Sequence, residues 1–268
     1  MDRALISRNN LKKNFLKEVI MRLDFQGVLQ SEMEKVLVSV KPYLKEKLFD
    51  RYEEKIVSQV IDDGNSSVGL GKQLVYSFTS ESLEYNIELS NTSIILSVRS
   101  RKYAAFDDYS AIFSYIVNVY NEKIDFFTVT RFGLRKINFC FIKDKNSINK
   151  YFDCSYYNLK APIDGYESQT IERNDKLSDG KSNINMCYAI EEGSINGLIW
   201  YKVSLDSDFY ITEQERINEV VFNKDELKLI NKELFNIYLN VITDKFLEEL
   251  MVDNQMDINM IQGVELNE

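Results

Sequence analysis

Arg131-Phe132-Gly133-Leu134-Arg135-Lys136-Ile137-Asn138 is the stretch on which the reading of this chain turns. It lies inside a long apolar run and reads as a strand. With period 2, one face carries Val129, Arg131, Gly133, Arg135, Ile137, Phe139 and Phe141, and the other carries Thr130, Phe132, Leu134, Lys136 and Asn138. The first face looks like core, yet two arginines interrupt it. A guanidinium among apolar neighbours has to stay paired or wet, so Arg131 and Arg135 either hold the fold through carboxylate pairs or line a groove.

Working outward, the same alternation predicts a first strand over Phe15 to Phe25 and a helix from Ser31, where Ser31 and Glu34 form a capping-box pattern. Pro42 interrupts that helix and is expected to kink or split it. Three short strands are predicted at Gln73 to Thr79, Tyr85 to Leu89 and Ser93 to Arg101, followed by an amphipathic helix over Tyr109 to Tyr120 and the long strand Phe126 to Ile142. Arg99 and Arg101 point the same way in their strand and would extend the Arg131 and Arg135 face if the strands are neighbours. From about Asn146 to Asn183 long loops are expected, with turns at Asp164-Gly165 and Asp179-Gly180. A hairpin is predicted from Ile184 to Ile190, turning at Glu192-Gly193-Ser194, and on to Leu198 to Val203. Asn223 and Glu226 open the closing helix, whose apolar stripe runs from Leu227 to Leu250.

The fold class expected is therefore α+β: a mostly antiparallel sheet built strand, helix, meander, helix, long strand, with a second strand hairpin and a long C-terminal helix. No Pro/Gly-rich linker divides the 268 residues, which hold only two prolines and ten glycines. One domain is expected, or two packed lobes at about 10–145 and 146–251, with an acidic tail over 252–268.

Composition excludes more than it suggests. The chain has no histidine, so it cannot supply an imidazole base, a Ser-His-Asp or Cys-His nucleophile, or a His-ligated metal. The three cysteines, Cys140, Cys154 and Cys187, are odd in number and form no C-x-x-C, which points to thiols rather than a disulfide framework or zinc site. No apolar leader or bilayer-length segment is visible, and a cytoplasmic protein with no membrane partner is the expectation. Of the net charge of −9, residues 207–268 supply all: they hold 5 basic and 14 acidic groups, against 28 of each before them. That balance disfavours nucleic acid as a partner, since phosphate backbones are held by clustered Lys and Arg.

Arg131 to Asn138 resembles an R-x-G-L-R-Y-I-N core strand, Phe15 to Phe25 resembles an opening strand with a Glu-Val step at Glu18-Val19, and Leu227 to Leu250 resembles a closing helix with Phe235 and Ile242-Thr243-Asp244. Together these features are similar to an uncharacterised, sporadically distributed bacterial family. The resemblance spans about residues 10–250 and implies association with mobile elements or defence islands. Lys136 stands where the family pattern has an aromatic. The resemblance brings no catalytic residues with it.

No phosphate loop or dinucleotide fingerprint is present, and Gly69-Leu70-Gly71-Lys72 is too short for either. No Glu-x-Lys falls on a predicted strand, as a Mg²⁺-dependent nuclease would need. The acid pairs Glu84 and Glu88, Asp107 and Asp108, and Glu191 and Glu192 read as solvated turns. The expectation is a non-catalytic protein-binding sensor, adaptor or antitoxin-like component with no cofactor. Its partner would be a protein encoded nearby or a phage protein, and its binding residues Arg99, Arg101, Arg131 and Arg135. The alternatives are a Mg²⁺-dependent enzyme acting on nucleotide or nucleic acid through Asp and Glu, and a homo-oligomeric structural subunit.

Overall fold

The computed structural model describes residues 3–13, 15–62, 67–99, 106–158, 170–195, 197–252 and 260–262. In chain order the elements are β1 (Leu16–Phe25), α1 (Gln30–Glu46), β2 (Arg51–Asp62), β3 (Ser67–Ser80), β4 (Tyr85–Ser90), β5 (Ser93–Arg99), α2 (Phe106–Lys123), β6 (Val129–Ile142), α3 (Ile148–Tyr151), β7 (Thr170–Ser178), β8 (Asn183–Ile195), β9 (Leu198–Ile211), α4 (Gln214–Val221), α5 (Lys224–Val241), α6 (Asp244–Met251) and β10 (Met260–Gln262). The fold is α+β with antiparallel strand pairing. It divides into two compact units, Val19–Leu134 with Tyr210–Lys228, and Met1–Glu18 with Arg135–Phe209 and Leu229–Glu268. The cuts fall inside β1, β6, β9 and α5 rather than at a linker.

In the first unit the hydrogen-bonded strand order is β2-β3-β4-β5-β1-β6. One face of this sheet is buried under α1 and α2. Val19, Met21, Leu23, Ile87, Leu89, Ile94, Leu96, Phe132 and Leu134 supply the sheet side, and Met33, Val36, Val40, Leu44, Phe113, Ile116 and Val117 the helix side. Tyr43 of α1 stacks on Tyr115 of α2 with ring centroids 3.6 Å apart. Tyr109 pins α2 to the sheet, since its buried hydroxyl has its one proton shared between the carbonyls of Val19 and Leu96 and accepts from the Met21 N–H. Such a hydroxyl is affordable inside only because its partners are complete.

The second unit runs β6-β9-β8-β7. Phe246 of α6 packs against Phe15, Tyr151 and Phe152, with centroids 5.1 to 5.7 Å away. β10 pairs with the end of β6, Met260 opposite Ile142 and Gln262 opposite Cys140.

Several expectations are corrected. The core face of β6 is the even one, where Phe132 and Leu134 are fully buried, while Arg131 and Arg135 point to the open face. The long closing helix is two helices. Thr243 breaks it by capping α6, its hydroxyl accepting the Phe246 N–H at 3.2 Å, while Ile242 bridges to Phe152. Asn223 does cap α5, accepting from the Asp225 N–H at 3.0 Å. Helix α1 runs through Pro42 unbroken, because Val38 and Pro42 both lie on its solvent side, where the carbonyl that loses its donor is exposed to water. Its cap sits two residues earlier than expected, with Glu32 accepting the Leu29 N–H at 2.8 Å. Strand β8 continues through Glu192-Gly193-Ser194 to Ile195, so those residues are not the turn to β9, and Gly197, just before β9, has φ +76°. Strands β2 and β7 and helix α4 were not foreseen. The Asp179-Gly180 turn is present, with Asp179 accepting the backbone N–H groups of Lys181 and Ser182. Asp164-Gly165 lies outside the described residues. No helix among the described residues is long and apolar enough to cross a membrane.

Candidate functional site

In the first unit Arg131 sits at the centre of a small polar group on the open face of the sheet. Its guanidinium lies 5.2 Å from the centre of the Tyr210 ring, and Nη1 is 3.8 Å from Asp24 Oδ2. The other carboxylate oxygen, Oδ1, accepts a 2.8 Å bond from Arg22 Nε. Gly133 makes this arrangement possible. A Cβ at position 133 would stand 3.1 Å from Arg131 Nη1 and 3.3 Å from Nη2, so the missing side chain is the space in which the guanidinium lies. The Arg-x-Gly spacing is thus a local device for laying an arginine along its own strand. Arg131 keeps 29 % of its side chain exposed.

In the second unit Arg135 is held differently. Asp206 receives it with both carboxylate oxygens, Nε bonding Oδ1 at 2.8 Å and Oδ2 at 3.1 Å, and Nη2 bonding Oδ2 as well. That fork-on-carboxylate bond is the main reason its pKa is raised; burial opposes it, and Asp208 and Glu18 add to the rise. Even so, 45 % of the side chain remains exposed.

Arg99 ends β5 and is exposed. It is not on a strand next to Arg131, because β1 lies between β5 and β6. Arg101 lies outside the described residues. The condition for Arg99 to extend the face of β6, neighbouring strands, is therefore not met.

Sequence reasoning missed Phe126. It was taken as the first residue of the long strand, but β6 begins at Val129, and Phe126 stands in the preceding turn with φ +62° and 97 % of its surface exposed. A bulky residue at positive φ is a backbone outlier, and it keeps its ring fully in water. Phe127, next to it, is the one that packs inward, against Phe25 and Tyr120. Two adjacent phenylalanines gave no sign of which would face out.

The interior of the second unit holds a second unusual group. Lys136, on the even side of β6, is half-buried, with its ammonium donating to the Asn231 carbonyl at 3.2 Å. Burial, helped by the Arg8 charge, pushes its pKa down to about 7. Asn231 Oδ1 and Tyr238 Oη are also buried and have no hydrogen-bond partner among the described residues. Cys140 is buried, and its pKa is pushed up by that burial. Cys154 is exposed. A small apolar cavity of about 10 Å³ lies nearby, lined by Phe139, Cys140, Leu205, Tyr238 and Phe246 among others. It has room for about one water molecule.

One exclusion made from the sequence has to be withdrawn. Glu53-Glu54-Lys55 is a Glu-x-Lys on a strand, because β2 exists. Lys55 pairs with Glu53 at 3.2 Å, and its ammonium is 3.5 Å from Ser77 Oγ, which in turn is 3.3 Å from Asn86 Oδ1. Among the described residues, however, no three acidic or thiol groups converge where they could hold a metal ion. No family model matches the chain, and no curated protein is similar to it.

Proposed function

We propose that this chain is a non-catalytic protein-binding component, a sensor, adaptor or antitoxin-like partner, and that its first unit presents the contact surface. Phe126 carries the proposal. A strained, fully exposed aromatic is costly to keep, of order 1–3 kcal/mol for the backbone alone, and a binding surface is where such a cost is returned. Arg131 supplies a charged neighbour in the same unit, with 29 % of its side chain exposed. Assignment to the sporadically distributed bacterial family, and with it a cytoplasmic role in anti-phage defence or a mobile element, rests on the resemblance of Arg131 to Asn138 and is part of the same proposal. The partner is then a protein encoded nearby or one made by the phage.

The test is affinity purification of the tagged chain from a bacterial host with and without phage challenge, comparing wild type with Phe126→Ala and Arg131→Gln. A stoichiometric protein retained by the wild type and lost from both variants, each still folded by circular dichroism, supports the reading. Equal retention by all three, or no retained protein in either state, overturns it.

The Glu53-x-Lys55 pair on β2 favours a second reading, a Mg²⁺-dependent enzyme on nucleotide or nucleic acid. Metal-dependent turnover abolished by Glu53→Gln would establish it. Calorimetry showing no Mg²⁺ or Mn²⁺ binding at millimolar concentration would remove it.

A further inference from the structure

Among the described residues the outermost strand of the first unit is β2, which pairs with β3 on one side and ends the sheet on the other. Residues 51–57 of this edge are all exposed, and they include three large apolar side chains: Tyr52 at 38 %, Ile56 at 69 % and Val57 at 44 %. An open edge of this kind is a template for another strand. Charges usually blunt such edges. Here Arg51, Glu53, Glu54 and Lys55 make the possible registers unequal.

We propose that β2 pairs antiparallel with β2 of a second copy of this chain, with Glu54 facing Glu54 across a two-fold axis. A two-fold in an antiparallel ladder passes between directly opposed residues, so one residue must face its own copy. Centring on Glu53 sets Glu53 against itself and Arg51 against Lys55. Centring on Lys55 opposes two ammonium groups, centring on Ile56 leaves no opposite-charge pair, and centring on Tyr52 confines the ladder to residues 51–53, because β2 begins at Arg51. Centring on Glu54 places Glu53 opposite Lys55 twice and Tyr52 opposite Ile56 twice, the opposite-charge and aromatic-aliphatic pairs that stabilise a ladder. The Glu53 and Lys55 side chains already pair within one chain at 3.2 Å, so the dimer extends this into four alternating charges. The one like-charge contact is Glu54 with its copy. Each Glu54 takes a 2.5 Å bond from its own Tyr52 hydroxyl, and the Lys41 ammonium lies 3.9 Å from the centre of the same Tyr52 ring. A cation therefore stands on the same side of the strand.

The interface uses neither Phe126 nor the arginines of β6, so it stands or falls apart from the function proposed above. A ladder of this length is small, and the expected dissociation constant is on the order of 10 µM. Sedimentation velocity across that concentration should show a monomer–dimer equilibrium, with Lys55→Glu weakening the dimer by about tenfold or more. Register is read by oxidation in a Cys154→Ser background. Glu54→Cys should cross-link between copies, while Lys55→Cys, whose copies lie two residues out of register, should not. A particle that stays monomeric at ten times that concentration overturns the proposal, as does a dimer in which Lys55→Cys links and Glu54→Cys does not.

Discussion

The two units place their awkward residues in opposite locations. In the first, the Tyr109 hydroxyl has three backbone partners, Ser114 Oγ is the one buried side-chain polar atom left without a partner among the described residues, and the larger oddities are outside: Phe126 at positive φ in water and Arg131 lying along its own strand over Gly133. In the second, the surface arginine is tightly forked onto Asp206, and the oddities are inside: a desolvated Lys136 and the unpartnered Asn231 Oδ1 and Tyr238 Oη. A cost kept on the surface can be recovered by a partner. A cost kept in the interior shows up as conditional stability, dependent on pH. The first unit is accordingly where binding is sought, and the second is where the fold should respond to its medium.

The largest effect expected from this contrast is at Lys136. Its pKa is near 7 in the folded protein and about 10.4 in an unfolded chain. Between those values the unfolded chain holds a proton that the folded one lacks, so this group makes stability rise with pH from about 7 to about 10; below pH 7 both states are protonated and the penalty is felt in full. Lys136→Met should therefore stabilise the protein at pH 7 by on the order of 3 kcal/mol, after allowance for the partial exposure of the side chain, with the gain shrinking towards pH 10. Urea unfolding of both proteins at intervals across that range gives the difference directly, and a difference independent of pH would mean that Lys136 is not desolvated. The interior of the second unit would then be no more conditional than that of the first.

Smaller, and of opposite implication, is the effect at Phe126. Phe126→Gly removes the side chain from a left-handed position and should stabilise the first unit by up to about 1 kcal/mol, offset in part by the greater freedom of glycine in the unfolded chain. Thermal unfolding with native-state hydrogen exchange in α2 and β6 measures it. Destabilisation instead would show that the ring has a structural role, and the surface of the first unit would lose its claim to a function.

Much of this was legible in the chain because periodicity survives wherever one face of an element is buried. The α+β class, β1, α2, β6 and the start of α5 followed from it. What escaped has physical reasons. β2 was hidden because residues 51–57 are exposed on both faces, so no apolar alternation marks them. β7 is similarly almost wholly exposed. The break at Thr243 needed the hydroxyl to be read as a cap in the middle of an unbroken apolar stripe. The wrong turn at Glu192-Gly193-Ser194 came from passing over Asn196-Gly197, the stronger hairpin signal. At the site, Arg131 and Arg135 were visible as charges in an apolar run, but the parity that sends Arg131 to the open face depends on which side α1 and α2 cover. Gly133 could be seen, though not the guanidinium lying over it.

The finest test separates the two arginines. If pairing holds Arg135 while packing holds Arg131, removing the partner carboxylates should have unequal consequences. Asp206→Asn breaks a fork of charged bonds between half-exposed groups and should cost about 1 kcal/mol, falling as salt is added. Asp24→Asn takes the charge from the 3.8 Å contact with Arg131 and from the surface bond to Arg22 Nε, and should cost less than about 1 kcal/mol, with the guanidinium of Arg131 still seated against the Tyr210 ring and in the space above Gly133. The decisive comparison is Gly133→Ala. A Cβ there displaces only the far end of Arg131, so stability should fall by under about 1 kcal/mol while the guanidinium leaves the Tyr210 ring, which a nitrogen NMR shift of Arg131 Nε would report. An unchanged shift would mean that glycine is not what seats the arginine, and the Arg-x-Gly pattern would then need another cause.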